Sequence, residues 1–462
     1  MLSAESKCKS IRKKVLIGSL LGALRLQDNK FWRGDETVCV VGLGYVGLPA
    51  ATLMADAGFN VIGFDTNPIA VAKINAGEIH IREPGLAELV ARVVFDKKLR
   101  ANLSPEKADV FVIAVPTPFI GDHEPDLSFV KKAARSIAPV LQPSSLVLLE
   151  STSPVGTTEM VGQILAELRN DLQFAHKGVS EGVSVAYCPE RVLPGNALVE
   201  MMNNDRVVGG LTEICTIRAV NFYGKIIKGK CTLTDARTAE MCKLTENSFR
   251  DLNIAFANEL SIICDQLKIN VWELIRLANL HPRVKILQPG PGVGGHCIAV
   301  DPWFIVNRSP DEARLIRTAR EVNDAKPEWV LGKVADAVAK ITKEIHFDKK
   351  REIKIACFGL SFKANIDDFR ESPALHIAKA IGQKHVGPIL VVEPNLLVLP
   401  QSLSKKFQLV DLATALKESD VLLLLVDHDE FKLVNPKNLG PHQILIDTKG
   451  IWSESSTRKD IH

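Results

Sequence analysis

The feature that most constrains the fold is a glycine motif between a strand pattern and a helix pattern. Residues Thr37 to Val41 predict a short apolar strand, and Gly42-Leu43-Gly44-Tyr45-Val46-Gly47 follows it directly. Glycines here permit a tight turn, and they bring backbone amides and a helix N-terminus close to a pyrophosphate. Asp65 ends the next predicted strand, where a carboxylate binds a ribose 2′-hydroxyl and repels a 2′-phosphate. The segment therefore predicts an NAD site, the alternative being a turn that only packs a helix onto a sheet.

Strand and helix patterns alternate on both sides of a long helix pattern. Segment 234–265 contains no glycine or proline and predicts one long helix. Before it, strands are predicted at 60–64, 110–115 and 146–149, with helices at 48–57 and 128–141. After it come helices at 271–280 and 311–325, then strands at 353–358, 389–392, 421–426 and 444–446. The alternation predicts an α/β fold whose parallel sheet is covered by helices on both faces.

Composition excludes several classes of function. The chain has 462 residues, 46% of them hydrophobic, which is enough for two or three domains with large cores. Lys and Arg number 57 against 54 Asp and Glu, and aromatic residues are 6%, so we expect no nucleic-acid partner. No apolar run reaches the roughly 20 residues that cross a membrane. The nine cysteines are odd in number and form no CxxC pair, which favours a reducing cytoplasm over disulfides or a zinc site.

Both ends of the chain are predicted to be appendages. The apolar run 15–24 follows several basic residues, but no convincing cleavage site comes after it, so residues 1–35 are interpreted as a poorly ordered extension. Residues 453–462 are polar and are expected to fray. His281 and His296 have no metal-ligand spacing, so we expect no metal.

The long helix carries a polar stripe. Glu240, Lys243, Asn247 and Arg250 are spaced by three, four and three residues and share one face. Apolar side chains such as Phe249 fill much of the remaining surface, which predicts a polar stripe on an otherwise buried helix. The alternative is a solvated face with paired charges.

A glycine-rich loop, Gly290-Pro291-Gly292-Val293-Gly294-Gly295, precedes His296 and Cys297. Such a loop wraps closely around a ligand, and the cysteine behind it is suited to an exposed nucleophile, although a buried structural cysteine is the commoner role. Asp301-Pro302 follows and predicts a helix cap, with a base or water-orienting group as the functional alternative. NAD together with a nucleophilic thiol supports oxidation of an alcohol to an aldehyde, then through a thioester to a carboxylate.

These segments resemble the UDP-glucose/GDP-mannose dehydrogenase family from about Thr37 to Trp452. The shared motifs are GLGYVGLP (42–49), VPTP (115–118), ESTSPVGTTE (150–159), YCPERVLPG (187–195), RTAEMCKLTENSFRDLNIAFANE (237–259), HPRVKILQPGPGVGGHCIAVDPWF (281–304) and FGLSFKANIDDFRESPA (358–374). The resemblance implies two Rossmann-like doubly wound domains joined by a central helical dimerisation domain. The expected divisions are 36–230 for NAD, 231–335 for the central domain and 336–452 for the UDP-sugar.

The resemblance also implies a catalytic set. Cys297 matches the nucleophile, Lys243 matches the lysine that stabilises oxyanions and handles protons, and Asn247 is its water- or oxyanion-binding neighbour. Asp301 matches the aspartate that supports Cys297 and hydrolysis. Thr152 matches a threonine near the nicotinamide and its ordered water.

The binding residues are likewise implied by the resemblance. Positions matching cofactor contacts are Gly42, Gly44, Tyr45, Val46, Gly47, Asp65, Thr117, Thr152 and Arg370. Positions expected around the UDP-sugar are Arg191, Val192, Lys243, Asn247, Arg250, Gly294, Phe362, Lys363 and Lys449. His281 and Arg283 match a segment that reaches the substrate of a neighbouring subunit, so a homodimer or higher homo-oligomer is expected.

Two departures from the UDP-glucose branch lie near the expected sugar position. Pro194 stands where that branch has a second glutamate, and Val300 stands where it has a lysine. Both argue against glucose as the substrate, whereas PERVLPG (189–195) and GGHCIAVDPWF (294–304) resemble the N-acetylamino-sugar branch. The resemblance therefore implies oxidation of UDP-N-acetyl-D-mannosamine at C6 for a cell-surface polysaccharide. Alternatives are UDP-N-acetylglucosamine or UDP-glucose as substrate, or a simple two-electron hydroxy-acid dehydrogenase, a class that has no use for Cys297.

Overall fold

The computed structural model describes residues 32–81, 83–121, 123–192, 195–295, 297–344, 352–399, 403 and 406–452. Residues 1–31 of the predicted extension, Pro194, His296 and the predicted tail 453–462 lie outside the described residues. The chain divides into two compact units. The first runs to Thr117 and resumes from Asp126 to Lys243, and the second comprises Pro118–Pro125 and the chain from Leu244.

The first unit contains an eight-stranded sheet in the order β10-β9-β8-β7-β4-β1-β2-β3. Strand β1 pairs in parallel with β2 and β4, and β8 and β9 pair antiparallel, which the predicted parallel pattern did not anticipate. The strands are β1 (Thr37–Val41), β2 (Asn60–Phe64), β3 (Leu99–Asn102), β4 (Val110–Ile113), β7 (Leu146–Leu149), β8 (Ser184–Tyr187), β9 (Arg206–Gly210) and β10 (Cys231–Asp235).

Alternate residues of β1 enter two separate hydrophobic cores. Val38 and Val40 belong to one core, and Cys39 and Val41 belong to the other. Successive side chains of a strand point to opposite faces, so both faces of the sheet are covered and the doubly wound fold is confirmed. The covering helices are α1 (Gly47–Asp56), α2 (Pro68–Asn75), α3 (Leu86–Phe95), α4 (Ser128–Ile137), α5 (Thr157–Leu168), α6 (Ala197–Asn203) and α7 (Glu213–Tyr223).

The packing of the first unit includes Trp32, which lies inside the predicted extension. Its indole Nε1 donates to the carbonyl oxygen of Arg218 at 3.0 Å, and its ring meets Phe222 edge-on with centroids 5.8 Å apart. The hydrophobic core of the first unit therefore includes Trp32, which lies four residues before the predicted start of the NAD domain at residue 36.

The second unit contains a five-stranded sheet in the order β13-β12-β11-β14-β15, in which every pair is parallel. Its strands are β11 (Ile355–Phe358), β12 (Ile389–Val392), β13 (Phe407–Leu409), β14 (Val421–Leu424) and β15 (Ile444–Asp447), and a short hairpin is formed by β5 (Phe119–Ile120) and β6 (Glu124–Pro125). Its helices are α9 (Val271–Ala278), α10 (Asp301–Arg308), α11 (Arg314–Glu344), α12 (Pro373–Lys384) and α13 (Leu412–Glu418). The long helix α8 (Ala236–Leu267) begins in the first unit and continues into the second.

Helix α11 continues through Pro327, although the sequence pattern predicted its end at residue 325. A proline removes one backbone hydrogen bond from a helix interior. Val330, Leu331 and Val334 lie beyond that point and pack into the core of the second sheet, which stabilises the continuation. Within the described residues, no helix is both long enough and apolar enough to cross a membrane.

Candidate active site

The glycine motif of the first unit forms a cradle that is open on one side. A Cβ atom on Gly47 would lie 1.8 Å from the carbonyl oxygen of Gly42, and one on Gly42 would lie 2.7 Å from that of Ala114. These two glycines are therefore required by close backbone packing. A Cβ on Gly44 would meet no protein atom within 4 Å, and no side chain caps the N-terminus of α1. The open side and the uncapped helix end fit the pyrophosphate of NAD.

Asp65 lies at the end of β2 with its carboxylate held towards this cradle. It accepts hydrogen bonds from the backbone amides of Leu43 and Asn67, both at 2.8 Å. This is the position from which a carboxylate reaches a ribose hydroxyl. Tyr45 is exposed and Val46 half-buried at the start of the helix.

The ends of β4 and β7 bring Thr117 and Thr152 into neighbouring segments. The Ser151 hydroxyl donates to the carbonyl oxygen of Val115 at 2.7 Å, which ties the two strand ends together. Thr117 is buried and Thr152 is half-buried. The predicted strand-end positions of both threonines are therefore confirmed.

A buried ionic cluster lies behind these strand ends, and the sequence did not reveal it. Arg206 lies 3.9 Å from Glu150 and 3.5 Å from Glu190, and the Tyr223 hydroxyl donates to Glu150 at 2.6 Å. Burial raises the pKa of Glu150 to about 7. Glu190 accepts the backbone amide of Arg191 at 2.6 Å, so the cluster orients the segment that begins with Arg191 and Val192.

The polar stripe on α8 is the buried face of the helix, contrary to the predicted arrangement. Glu240 is 0% exposed, and Lys243 and Asn247 are also buried, whereas Phe249 is 68% exposed and Phe256 is 51% exposed. Arg250, the last member of the stripe, is exposed. The periodicity grouped the polar residues on one face but did not show which face packs inward.

Glu240 is fixed by the loop that carries Thr152. Its carboxylate accepts the backbone amides of Gly156 and Thr158 at 2.7 Å and the Thr158 hydroxyl at 2.6 Å. Burial raises the pKa of Glu240, and these hydrogen bonds oppose that shift. Glu240 therefore joins the start of α8 to the N-terminus of α5 through these hydrogen bonds.

Cys297 lies in the turn that starts α10 in the second unit, and it is exposed. Its carbonyl oxygen accepts the backbone amides of Val300 at 3.1 Å and Asp301 at 2.9 Å. Burial raises the pKa of the thiols of Cys39, Cys188 and Cys357 to about 12. Among the cysteines that the structure describes, Cys297 alone is exposed, which distinguishes it as the candidate nucleophile.

Asp301 does not cap α10, because Val300 occupies the cap position and no side chain caps this helix. The carboxylate of Asp301 instead accepts a hydrogen bond from the Asn247 amide at 2.5 Å, and both side chains are buried. The predicted capping role is therefore wrong. The expected association of Asn247, Asp301 and the cysteine turn is present within the second unit, and Lys243 lies one helical turn before Asn247 on α8.

The glycine loop packs against the segment that carries the expected UDP and cofactor residues. A Cβ on Gly294 would lie 2.4 Å from the carbonyl oxygen of Glu371, and one on Gly295 would lie 2.9 Å from the Phe362 ring. Arg370 in this segment pairs with Asp368 at 2.6 Å, and Lys363 is exposed. Only glycine fits at these two loop positions.

Lys449 approaches the other end of the loop. Its Nζ lies 3.1 Å from Asp427 and 3.8 Å from the Cβ position of Gly290. His281 and Arg283 lie on an exposed turn, where the Arg283 amide donates to His281 Nδ1 at 3.4 Å. The structure therefore brings Lys449 to the loop but leaves His281, Arg283 and Arg250 on exposed surface.

A metal centre receives no support from the described side chains. Within the described ranges, no group of three or more His, Cys, Asp or Glu residues has an arrangement that could hold a metal ion. His296 is outside those ranges.

Sequence models of known families match the chain in three consecutive parts. The NAD binding domain of the UDP-glucose/GDP-mannose dehydrogenase family matches residues 36–227, its central domain matches 237–325, and its UDP binding domain matches 356–454. The chain belongs to this family. It is therefore an NAD-dependent nucleotide-sugar dehydrogenase with a UDP binding domain, and the predicted family, fold class and cofactor are confirmed.

Individual relatives are similar over nearly their whole length. UDP-N-acetyl-D-mannosamine dehydrogenase of Escherichia coli K12 is 59% identical over 418 residues, 90% of this chain and 99% of the relative. NDP-N-acetyl-D-galactosaminuronic acid dehydrogenase of Ralstonia solanacearum is 55% identical over 419 residues, 90% of this chain and 96% of the relative.

Solved structures show the same architecture. The UDP-D-ManNAc dehydrogenase of Pyrococcus horikoshii has a TM-score of 0.80 at 37% identity, covering 90% of this chain and 96% of that chain. A UDP-N-acetyl-mannosamine dehydrogenase of Staphylococcus aureus has a TM-score of 0.78 at 39% identity, covering 90% and 96%. The domain limits and the roles of single site residues stay predictions.

Proposed function

We propose that this dehydrogenase oxidises the C6 alcohol of UDP-N-acetyl-D-mannosamine to the carboxylate of UDP-N-acetyl-D-mannosaminuronate, for a cell-surface polysaccharide. The observation that carries the four-electron chemistry is Cys297, an exposed thiol behind a glycine loop and next to the Asn247–Asp301 pair. A two-electron hydroxy-acid dehydrogenase needs no such nucleophile. The named mannosamine dehydrogenases at 58–59% identity support the choice of sugar.

Cys297 captures the aldehyde formed by the first oxidation. Its thiolate adds to C6, a C–S bond forms, and the carbonyl oxygen becomes the alkoxide of a thiohemiacetal. The second oxidation leaves a thioester, which water attacks so that the C–S bond breaks and the carboxylate leaves. NAD, when bound, accepts one hydride in each oxidation. It would be held by the Gly42–Gly47 cradle, Asp65, Thr117, Thr152 and Arg370.

Lys243 and Asn247 manage the charge on the reacting oxygen. The Lys243 ammonium stabilises the alkoxide and can give it a proton, the amine form of Lys243 takes a proton from the hydroxyl group, and Asn247 orients the water or the oxyanion. Asp301 holds the Asn247 amide in place through the 2.5 Å hydrogen bond. Arg191, Val192, Arg250, Gly294, Phe362, Lys363 and Lys449 bind the UDP-sugar.

The test is the number of NADH molecules formed per limiting UDP-N-acetyl-D-mannosamine. Two NADH per sugar are expected from the wild type, and Cys297→Ser is expected to lose the second oxidation. Cys231→Ser, which changes a half-buried thiol on β10, is the matched control and should retain two. One NADH per sugar from the wild type, or two from Cys297→Ser, contradicts the assigned mechanism.

The relative named for N-acetyl-galactosaminuronate chemistry makes a second amino sugar a specific competitor. The assay therefore includes UDP-N-acetylgalactosamine, UDP-N-acetylglucosamine and UDP-glucose in parallel. We expect the highest kcat/KM with UDP-N-acetyl-D-mannosamine and little turnover of UDP-glucose. A higher kcat/KM with another sugar reassigns the substrate and leaves the four-electron mechanism in place.

We also propose that the protein acts in the cytoplasm as a homodimer or larger homo-oligomer. The support for assembly is an apolar strip on α8, formed by Phe249, Phe256, Ile263 and Leu267, all exposed in the single chain. Residues seven apart lie on one helix face, so the strip suits a helix of a second copy. Sedimentation of the wild type and of Phe256→Glu tests this, and a wild-type monomer contradicts it.

A further inference from the structure

The Cys297 loop is anchored at its first residue by a buried asparagine on α8. The backbone amide of Gly290 donates to Asn258 Oδ1 at 2.9 Å. Asn258 is 0% exposed, and its Nδ2 donates to Asn323 Oδ1 on α11 at 2.8 Å. A single side chain thus joins two long helices to the start of the loop.

The chain of hydrogen bonds continues to a buried ion pair. Asn323 Nδ2 donates to the carboxylate of Asp251 at 2.8 Å, and the Arg320 guanidinium donates to the same oxygen at 2.5 Å. All of these side chains are buried in the second unit. The links from Gly290 to Asp251 form one continuous buried chain, although Asp251 Oδ2 and Arg320 Nε have no hydrogen-bond partner among the described residues. Breaking a link of a buried chain leaves a polar group without its partner, which is costly.

The two ends of this network fix its direction. The Gly290 amide is only a donor, and the Asp251 carboxylate is only an acceptor. Between them, one orientation of each asparagine amide satisfies every link: oxygen towards the loop and nitrogen towards Asp251. The network therefore presents an acceptor at a fixed place to the first amide of the loop.

On its opposite side, the loop packs so closely that the glycines there cannot be replaced by larger residues. Gly292, Gly294 and Gly295 lie against Pro373, Glu371 and Phe362 at distances that exclude a Cβ atom. These contacts limit the space of the loop, and the hydrogen bond from the Gly290 amide to Asn258 adds a directional constraint. The position of Cys297 at the end of the loop then depends on where Gly290 is held.

We propose that Asn258 is a positioning residue for the nucleophile, holding Gly290 so that the loop presents Cys297 correctly to C6 of the substrate. The inference rests on the proposed role of Cys297 as nucleophile. It predicts that loss of the Asn258 side chain misplaces the thiol without removing a group that binds substrate or NAD. A displacement of about 1 Å at a reacting group lowers the rate about a hundredfold.

The experiment compares Asn258→Ala with the wild type in two measurements. Steady-state kinetics with UDP-N-acetyl-D-mannosamine and NAD should show kcat lowered about tenfold to a hundredfold with both KM values unchanged. Hydrogen exchange should show that the Gly290 amide loses protection. Val330→Ala, a buried truncation on α11 in a separate core, is the stability-matched control and should change neither.

Two further variants keep the test decisive. Asn323→Ala removes the middle link and should also speed exchange at Gly290 and lower kcat. Asn258→Asp keeps the shape and the acceptor for Gly290, so it should retain more protection and more kcat than Asn258→Ala. Wild-type kcat, or wild-type exchange at Gly290, in Asn258→Ala or in Asn323→Ala overturns the proposal.

The exchange measurement requires no catalysis, so it separates this inference from the proposed function. Retention of two NADH per sugar by Cys297→Ser would remove the nucleophile role while leaving the anchoring of Gly290 as measured. Loss of the second oxidation in Cys297→Ser with unchanged kcat in Asn258→Ala would remove only the positioning role.

Discussion

Replacing Lys326 with methionine should stabilise the protein at neutral pH and remove a rise of its stability with pH. Lys326 is 2% exposed on α11, with its Nζ 4.0 Å from the centre of the Trp329 ring. It donates to the Ser261 hydroxyl and, at 3.4 Å, to the Asn258 carbonyl oxygen. Burial lowers the pKa of this ammonium from 10.5 to about 7, and the charge of Asp265 opposes the shift.

The direction of the pH dependence of stability follows from which state of the protein, folded or unfolded, keeps the Lys326 proton. Between pH 7 and 10.5 the unfolded chain keeps the Lys326 proton and the folded chain has lost it. The free energy of unfolding therefore rises with pH by about 1.4 kcal/mol per unit in this window. From pH 7.5 to 9 the contribution of Lys326 is about 2 kcal/mol. Methionine has a similar length and no charge, so the stability of the variant lacks this dependence on pH. The lost hydrogen bond to Ser261 lowers the free energy of unfolding of the variant by about 1 kcal/mol at every pH.

The assay is denaturant unfolding of wild type and Lys326→Met at matched concentration, at intervals from pH 7.5 to 9. The difference in unfolding free energy should favour the variant at pH 7.5 and shrink by about 2 kcal/mol at pH 9. The control is Lys333→Met on the same helix, where the lysine is 30% exposed and pairs with Asp265, and it should not reproduce the slope. Parallel stability–pH curves for wild type and Lys326→Met would refute the reasoning.

Three other variants test the first unit. Asp65→Ser should lower the preference for NAD over NADP about tenfold, because the carboxylate no longer repels a 2′-phosphate, and the ratio of kcat/KM values for the two cofactors measures this. Glu240→Ala should lower the free energy of unfolding by about 3 kcal/mol, since it leaves the half-buried amide of Gly156 and the buried amide of Thr158 without their acceptor; denaturant unfolding beside Glu159→Ala, an exposed neighbour, checks it. Trp32→Ala should cost about 3–5 kcal/mol by opening a cavity beside Phe222, and an unchanged unfolding midpoint would show that Trp32 adds nothing to the core.

Local features of the site were predictable from the sequence because adjacent residues determine them. The Gly42–Gly47 turn, Asp65 at the end of β2 and the strand-end threonines follow from short patterns that one strand and one helix define. The exposed position of Cys297 also agrees with its glycine-rich surroundings. In each case the physical constraint, a tight turn or a strand end, lies within a few residues of the motif.

Features that depend on distant partners were not predictable. Periodicity placed Glu240, Lys243 and Asn247 on one helix face but did not show whether that face is buried. The backbone amides of Gly156 and Thr158, which donate to Glu240, lie about 80 residues away in the sequence. Arg206 meets Glu150 and Glu190 only through the order of the strands. Asp301 is typical of a helix cap by residue type, but the buried Asn247 amide competes for its carboxylate.

The departure at Val300 has a physical consequence for sugar selection. Val300 is buried in an apolar cluster with Leu244, Phe304 and Ile305. The family resemblance implies a lysine at this position in the UDP-glucose branch. An ammonium placed among these apolar side chains loses its hydration, which costs several kcal/mol. Val300→Lys should therefore lower the thermal unfolding midpoint and leave kcat/KM for UDP-glucose low, because the surroundings of residue 300 are built for an apolar side chain. Wild-type stability together with new UDP-glucose activity would mean instead that this one position selects the sugar and that the cluster around it adapts.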